Sequence, residues 1–453
     1  MAATSQVAVQ RDSDLADRLH SLSLEDPDFW SFRGKAQRDH GHGLMQYPAM
    51  MVPQMVRTLM RGVREYNPGI RRLADPFIGS GTVLTEGMMQ GLEFYGRDVN
   101  PLAVLLCRTK AGPFFTQALK EGVDRVLSAA DADTSCRVDV AFRNIDKWFI
   151  KVTQIQLSRL RRAILAEGSL STRRFLWVAL AETVRLTSNS RTSTFKLHIR
   201  PDEQIRDRMV APLGTFARIA RRNVQRLKAL STKLSNGGLI VRGRYTERVQ
   251  VDLADTRDAM KPELACCDMA LTSPPYGDNV TTVPYGQYSY LPLQWIDLSD
   301  IDENADASLL SSTHEIDALS LGGSRRTSEH ESAPIRQRSP TLQAFLSRLK
   351  DHPKDRTSRV EAFVRDLNRC LPNVLALLRP SGIMIWILGN RRVGGLSVPL
   401  DVILAELLEG RGATHVATLA RRIPTKRMAI RNNVAETMSS ETILIMRKAA
   451  EPE

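Results

Sequence analysis

The 453-residue sequence predicts an α/β protein: a mostly parallel sheet with helices on both faces and a long helical insertion. Three observations predict it. A short strand ending in Arg71-Arg72-Leu73-Ala74-Asp75 runs through a Gly-rich turn into a helix from Val83 to Gln90. A second strand ends at Tyr95-Gly96-Arg97-Asp98 and hands over to a helix opened by Asn100-Pro101. The strand pattern then stops over 111–240, where helical spacing prevails, and resumes near Val249.

Taken in order, residues 1–42 are polar and predict an N-terminal tail or loose cap. Helical spacing starts near Pro48 and runs through Met51, Met55, Val56 and Leu59. Within the insertion, Phe216, Ile219, Ala220, Val224 and Leu227 share one helix face, and Arg218, Arg221, Arg222 and Lys228 fall largely on the other. Val249-Gln250-Val251 and Asp268-Met269-Ala270-Leu271 read as strands. Residues 298–345 are rich in Ser, Asp, Glu and Arg and predict a long mobile loop. A helix over 359–378 leads through Arg379-Pro380-Ser381-Gly382 into the strand Ile383 to Leu388, and Glu441 to Met446 closes the chain as a strand. There are no internal repeats. The expected domains are a catalytic sheet domain over 43–110 and 241–453, with 111–240 inserted as a target-reading region.

The composition is ordinary for a globular protein, with 42% hydrophobic and 25% charged residues. The net charge of +13 suits a polyanionic partner, or else a solvated basic surface. Five cysteines, an odd count without a Cys-x-x-Cys pair, argue against a disulfide framework or a zinc knuckle. The N-terminus has no apolar core, and the most apolar stretch, Val374 to Leu388, is broken by Arg379, Pro380 and Gly382. A soluble cytoplasmic protein, with no membrane partner, is expected. His40 and His42 flank Gly41 without partners at metal spacing, so no metal site is expected.

The turn Asp75-Pro76-Phe77-Ile78-Gly79-Ser80-Gly81-Thr82 stands between strand and helix, where glycines let a ligand approach the backbone. Asp98 ends the next strand, roughly 20 residues on, where an acidic side chain can grip ribose hydroxyls. The turn has neither the P-loop Gly-Lys-Ser/Thr ending nor the third glycine of a dinucleotide fold, since Leu84 stands there.

The most informative stretch is Asp268-Met269-Ala270-Leu271-Thr272-Ser273-Pro274-Pro275-Tyr276-Gly277. Two prolines stop a buried strand and hold rigid carbonyls. An exocyclic base amine is a poor nucleophile because its lone pair delocalises into the ring. Acceptors aimed at its hydrogens localise that pair, and Ser273 and the carbonyl of Pro274 can supply them. Tyr276 can stack on a base drawn out of the duplex. Alignment of amine, methyl and sulfonium then suffices for in-line displacement.

These two stretches together resemble the amino-directed DNA methyltransferases. The serine form of the tetrad is similar to the cytosine 4-amino branch, whereas the adenine 6-amino branch usually has Asp first. The resemblance covers 43–110 and 247–290 well and 359–448 more loosely, including Ile423-Pro424-Thr425-Lys426-Arg427-Met428. It implies a Rossmann-like sheet of seven strands and the cofactor S-adenosyl-L-methionine. By position it assigns the methionine part to Phe77, Gly79 and Gly81, the ribose to Asp98, and the adenine amino group to Asp255, with Asp252 a near competitor. Gly43 to Pro48, including Tyr47, is similar to the segment beside the methionine moiety. Asp75, Thr82 and Asn100 complete the implied cofactor set, and Ser273, Pro274, Pro275 and Tyr276 the catalytic set.

The implied partner is double-stranded DNA with its target base flipped out, in restriction–modification or phage defence. The rivals are an adenine 6-amino DNA methyltransferase, an RNA base amino methyltransferase, and a non-catalytic nucleic-acid-binding protein on the same scaffold. A carbon-5 cytosine enzyme needs a Pro-Cys pair, which the sequence lacks. Tyr285, Tyr288, Tyr290 and Trp295 fit either the core or a base pocket. Thr187 to Arg191, with Lys196 and Arg200, fits either a phosphate contact or a solvated loop.

Overall fold

The computed structural model describes residues 2–260, 266–277, 283–324, 328–350, 357–389, 391–423 and 440–450. Seven strands form its central sheet: β1 (Arg72–Asp75), β2 (Glu93–Asp98), β3 (Val249–Leu253), β4 (Cys267–Thr272), β5 (Leu378–Gly389), β6 (Thr414–Arg422) and β7 (Ser440–Arg447). Their spatial order is β6-β7-β5-β4-β1-β2-β3. The pairs from β3 through β5 are parallel, with Leu73 opposite Met269 and Asp98 opposite Leu253. Strand β7 runs antiparallel between β5 and β6. The expected seven-stranded, mostly parallel Rossmann-like sheet is therefore present.

Side-chain alternation sorts the sheet into two faces. Ile383, Ile385 and Ile387 enter one core with Leu73, Met269 and Leu271. Met384, Trp386 and Leu388 enter the other with Ala74 and Ala270. Strands buried on both faces read as continuous apolar runs, which is why β4 and β5 are legible as strands.

Helices follow from local chemistry. Helix α2 (Pro53–Tyr66) has Pro at its first turn and buries Met55, Val56, Leu59, Met60 and Val63. Helix α3 (Thr82–Met88) leaves the Gly-rich turn from Gly81, whose φ of 71° is left-handed. A side chain on Gly81 would sit 2.7 Å from Cys107 Sγ, so only glycine fits. Helix α4 (Pro101–Lys110) is capped by Asn100, whose side chain accepts from Leu102 N.

Between β2 and β3 lie α5 (Thr116–Ala132), α6 (Lys151–Leu165), α7 (Leu170–Thr187) and α8 (Pro212–Asn236). Helix α7 buries Phe175 through Ala181 without a break, in the same apolar cluster as the sheet. The helical stretch is thus continuous with the main core.

Two expectations fail. Residues 1–42 are not a loose tail. Helix α1 (Ala2–Glu25) buries Leu15 and Leu19, Asp12 pairs with Arg447 of β7, and Trp30 is buried with its carbonyl accepting from Arg421 of β6. Nor do the described residues of 298–345, expected as a long mobile loop, lack secondary structure. Helix α9 (Tyr285–Trp295) precedes a series of short helices, including Glu315–Leu319, then α10 (Glu329–Arg338) and α11 (Pro340–Lys350). Ile301, Ile316, Ile335, Leu342 and Phe345 are buried there. Helices α12 (Thr357–Leu377) and α13 (Leu400–Glu409) cover the second face of the sheet.

Candidate functional site

The parallel strands β1 to β4 end on one side of the sheet, and β1 and β4 are the neighbours from which the strand order runs in opposite directions. Ligands of open α/β sheets bind outside such a point. A cleft opens there.

Its floor is the Gly-rich turn. Phe77, Ile78, Gly79 and Ser80 line it. The amide of Gly79 donates to Asp98 Oδ2 at 2.9 Å, and the amide of Asn100 donates to Asp98 Oδ1 at 2.9 Å. Each carboxylate oxygen keeps a lone pair for a further donor. Asp98 borders the cleft while protein surrounds its other sides. Loss of water pushes its carboxyl up to about 6, against the pull of the amides of Asn100, Gly79 and Val99.

Asp75 stands behind the turn, fully buried. Its Oδ1 accepts from Thr272 Oγ1 at 2.6 Å and from the amide of Phe77 at 3.0 Å. Its Oδ2 has no partner among the described residues. Burial pushes its carboxyl up to about 7 against those two hydrogen bonds. Thr82 is also fully buried, with its hydroxyl 3.1 Å from Ser80 Oγ. Gly81 and Thr82 therefore shape the turn from behind. Lys110, buried beneath it, donates to Ser80 O at 2.5 Å, and burial lowers its ammonium to about 8.

Tyr47 lines a second wall together with Pro48, Met51 and Tyr285. Its ring is stacked with that of Tyr285, 6.1 Å between centroids. Asn100 does not line the cleft. Its amide donates to Tyr47 Oη at 3.1 Å and to Ser289 Oγ at 2.8 Å while its oxygen caps α4. Its side chain holds Tyr47 and α9 in place.

Asp255 lines the cleft with Thr256, whose hydroxyl donates to Pro76 O at 2.5 Å. Asp252, the competitor, does not line it, and its carboxylate accepts from Gln250. Both Asp255 oxygens accept from the guanidinium of Arg257. The remaining wall, Leu319, Ser320 and Leu321, comes from the segment expected as loop. Nothing local in the sequence marks those three residues.

The tetrad follows β4 directly. Ser273 and Pro275 line the cleft, and Pro274 is buried behind them. Tyr276 does not line it. Its hydroxyl donates to Glu441 Oε1 of β7 at 3.0 Å and lies 3.1 Å from Ser273 Oγ. Burial raises its pKa well above the ordinary value of a phenol. Glu441 was not among the expected site residues. Pro424 to Met428 lie outside the described residues, whereas Ile423 precedes them.

The other singled-out residues separate. Tyr288, Tyr290 and Trp295 are buried in the core, while Tyr285 faces the cleft. His42 is buried against Glu86 at 2.9 Å, and Arg57 holds the same carboxylate. Asn189 is tied to Trp148 O and Lys147 O, so that break in the helices is pinned from below.

No protein-family model matches the chain. It is 29% identical to the type II methyltransferase M.MvaI of Kocuria varians over 458 aligned positions, covering 96% of this chain and 97% of that protein. Nearly its whole length is thus similar to a type II methyltransferase. A second such relative, M.MjaII of Methanocaldococcus jannaschii, is 33% identical over 87 residues, 19% of this chain and 16% of that protein.

Proposed function

We propose that the chain is an S-adenosyl-L-methionine-dependent, site-specific DNA methyltransferase that modifies the exocyclic 4-amino group of cytosine. The full-length kinship with a type II methyltransferase and the seven-stranded sheet support the enzyme class. The observation that carries the reading is one cleft shared by Gly79, Asp98 and Asp255 on one side and Ser273 on the other.

The cleft suits the cofactor. Aromatic and aliphatic walls (Phe77, Ile78, Met51, Tyr285) accept an adenine ring, and two carboxylates face a ligand that carries ribose hydroxyls and a positive sulfonium. Asp98 would take the hydroxyls, and the turn at Phe77 and Gly79, with Tyr47, the methionine part. Asp255 would take the adenine amino group. When bound, the cofactor supplies an electrophilic methyl group.

The residues of the chain do the rest. Ser273 offers an acceptor to the amine hydrogens and so localises the amine lone pair. The consecutive prolines fix the backbone that carries it. Tyr276 offers its ring to a base drawn from the duplex. The serine form of the tetrad, similar to that of the cytosine 4-amino branch, supports cytosine over adenine. The basic excess supports double-stranded DNA as partner. No helix among the described residues is long and apolar enough to cross a membrane. The cellular setting we propose is the cytoplasm, in restriction–modification or phage defence.

The test is transfer of methyl label from the cofactor to duplex DNA. The wild type incorporates label, and Ser273→Ala loses incorporation while calorimetry finds its cofactor affinity intact. A variant that loses both would make the tetrad structural.

A further inference from the structure

The tetrad serine is wired to a residue far from it in sequence. Ser273 Oγ lies 3.1 Å from Tyr276 Oη and 3.0 Å from the carbonyl oxygen of Ile387 on β5. Tyr276 Oη lies 3.0 Å from Glu441 Oε1. The other oxygen of Glu441 pairs with the guanidinium of Arg421 on β6, whose Nε donates to Trp30 O at 2.9 Å. Three contacts thus share two hydroxyl protons.

We propose that Glu441 is a positioning residue that sets the direction of these hydrogen bonds, so that Ser273 turns a lone pair, and not its proton, toward the target amine. The proposal rests on the methyltransferase reading above.

The argument is one of donors and acceptors. Arginine only donates, so the carboxylate of Glu441, paired with Arg421, serves as acceptor on both sides. The proton of Tyr276 therefore goes to Glu441. A backbone carbonyl only accepts, so the single proton of Ser273 goes to Ile387 O or to Tyr276 Oη. Both lie in the protein frame. What remains for the cleft, which Ser273 lines, is lone-pair density. An amine losing electron density to an approaching methyl group needs an acceptor there, and the wiring supplies it before the base arrives. It also specifies which of the two states open to a hydroxyl Ser273 occupies: it accepts from the amine and does not donate to the ring nitrogen.

Glu441→Gln inverts the wiring at nearly constant shape. Arg421 compels the new amide to turn its oxygen toward the guanidinium and its NH₂ toward Tyr276. The proton of Tyr276 then falls on Ser273 and occupies a lone pair that served the cleft. In a Tyr276→Phe background no proton can be relayed.

The experiment measures kcat with methyl-labelled cofactor and duplex DNA, and cofactor affinity by calorimetry, on the full chain. E441Q should lower kcat by about tenfold or more, the worth of one charge-assisted hydrogen bond, with cofactor affinity unchanged. Adding E441Q to Y276F should lower kcat no further than Y276F alone. A readout without turnover is the Cζ resonance of Tyr276 in ¹³C-tyrosine-labelled protein, which should move upfield in E441Q as the phenol loses its carboxylate acceptor. If E441Q does not fold, Glu441→Ala replaces it, since it also frees the Tyr276 proton for Ser273 and must lower kcat in the same direction.

An active wild type with an unaffected E441Q overturns the wiring. So does an equal loss in both backgrounds, which would make Glu441 a support of the fold. A wild type that transfers no methyl group to DNA overturns the methyltransferase reading instead, and the Tyr276 resonance then decides the wiring alone.

Discussion

The hydroxyl of Thr272 donates to Asp75 at 2.6 Å and so ties the end of β4, where the tetrad begins, to the end of β1, where the Gly-rich turn begins. The two halves of the cleft are held together by a buried carboxyl with one oxygen unpartnered among the described residues.

That carboxyl has a consequence for stability. Burial raises Asp75 to about 7, above its unfolded value of about 3.9. Between these values the native chain keeps a proton that the unfolded chain has lost, so this group lowers stability as pH rises from about 4 to about 7. Asp75→Asn should remove that contribution. Urea unfolding at several pH values checks it: the stability curve of the variant should be flatter over this range, and an unchanged slope would contradict the burial of a protonated Asp75.

Asp98 gives a second pH dependence, this time of binding. Its carboxyl is raised to about 6, and the ionised form is the stronger acceptor for two hydroxyls. Cofactor affinity should fall as pH drops through about 6. Asp98→Asn should bind more weakly above that pH, by roughly 1.5–3 kcal/mol for one charge-assisted bond, with little pH dependence left. Calorimetric titration measures both.

Helix α8 offers the salt test. Phe216, Ile219, Ala220, Val224 and Leu227 are buried and Arg218 and Arg221 exposed, as the spacing predicts, with Arg221 3.7 Å from Asp124 and Arg222 half-buried. If this face meets phosphates, charge reversal at Arg218 and Arg221 should flatten the plot of log affinity against log salt by about 0.9 per lost contact. An unchanged slope would make it a solvated face.

The fold was legible in the sequence where local signals concentrate. Gly79, Gly81 and Asp98 mark strand ends that any reader can place, and the prolines after Thr272 mark another. The fold was not legible where signals were sparse or ambiguous. Leu15 and Leu19 are single apolar residues among charges, and only tertiary packing reveals their face. The Ser and Asp residues that suggested a loop over 298–345 are in several cases helix caps: Asp306 accepts from Ser308 N, and Ser328 forms a capping box with Glu331. Glu441 lies 165 residues from Tyr276, and no spacing rule connects them.

The N-terminal helix can be tested by a core truncation. Leu19 is 1% exposed, so Leu19→Ala should cost about 2–5 kcal/mol of stability in urea unfolding. A cost near zero would return residues 1–42 to a loose tail.

The most direct test of the central claim is nucleoside analysis. Purified protein is incubated with labelled cofactor and mixed-sequence duplex DNA, the DNA is digested, and the labelled nucleoside is identified by mass spectrometry. The account predicts label on 4-methylcytosine, absent in Ser273→Ala. Label confined to 6-methyladenine would contradict the base assignment, and no labelled nucleoside at all would contradict the enzyme.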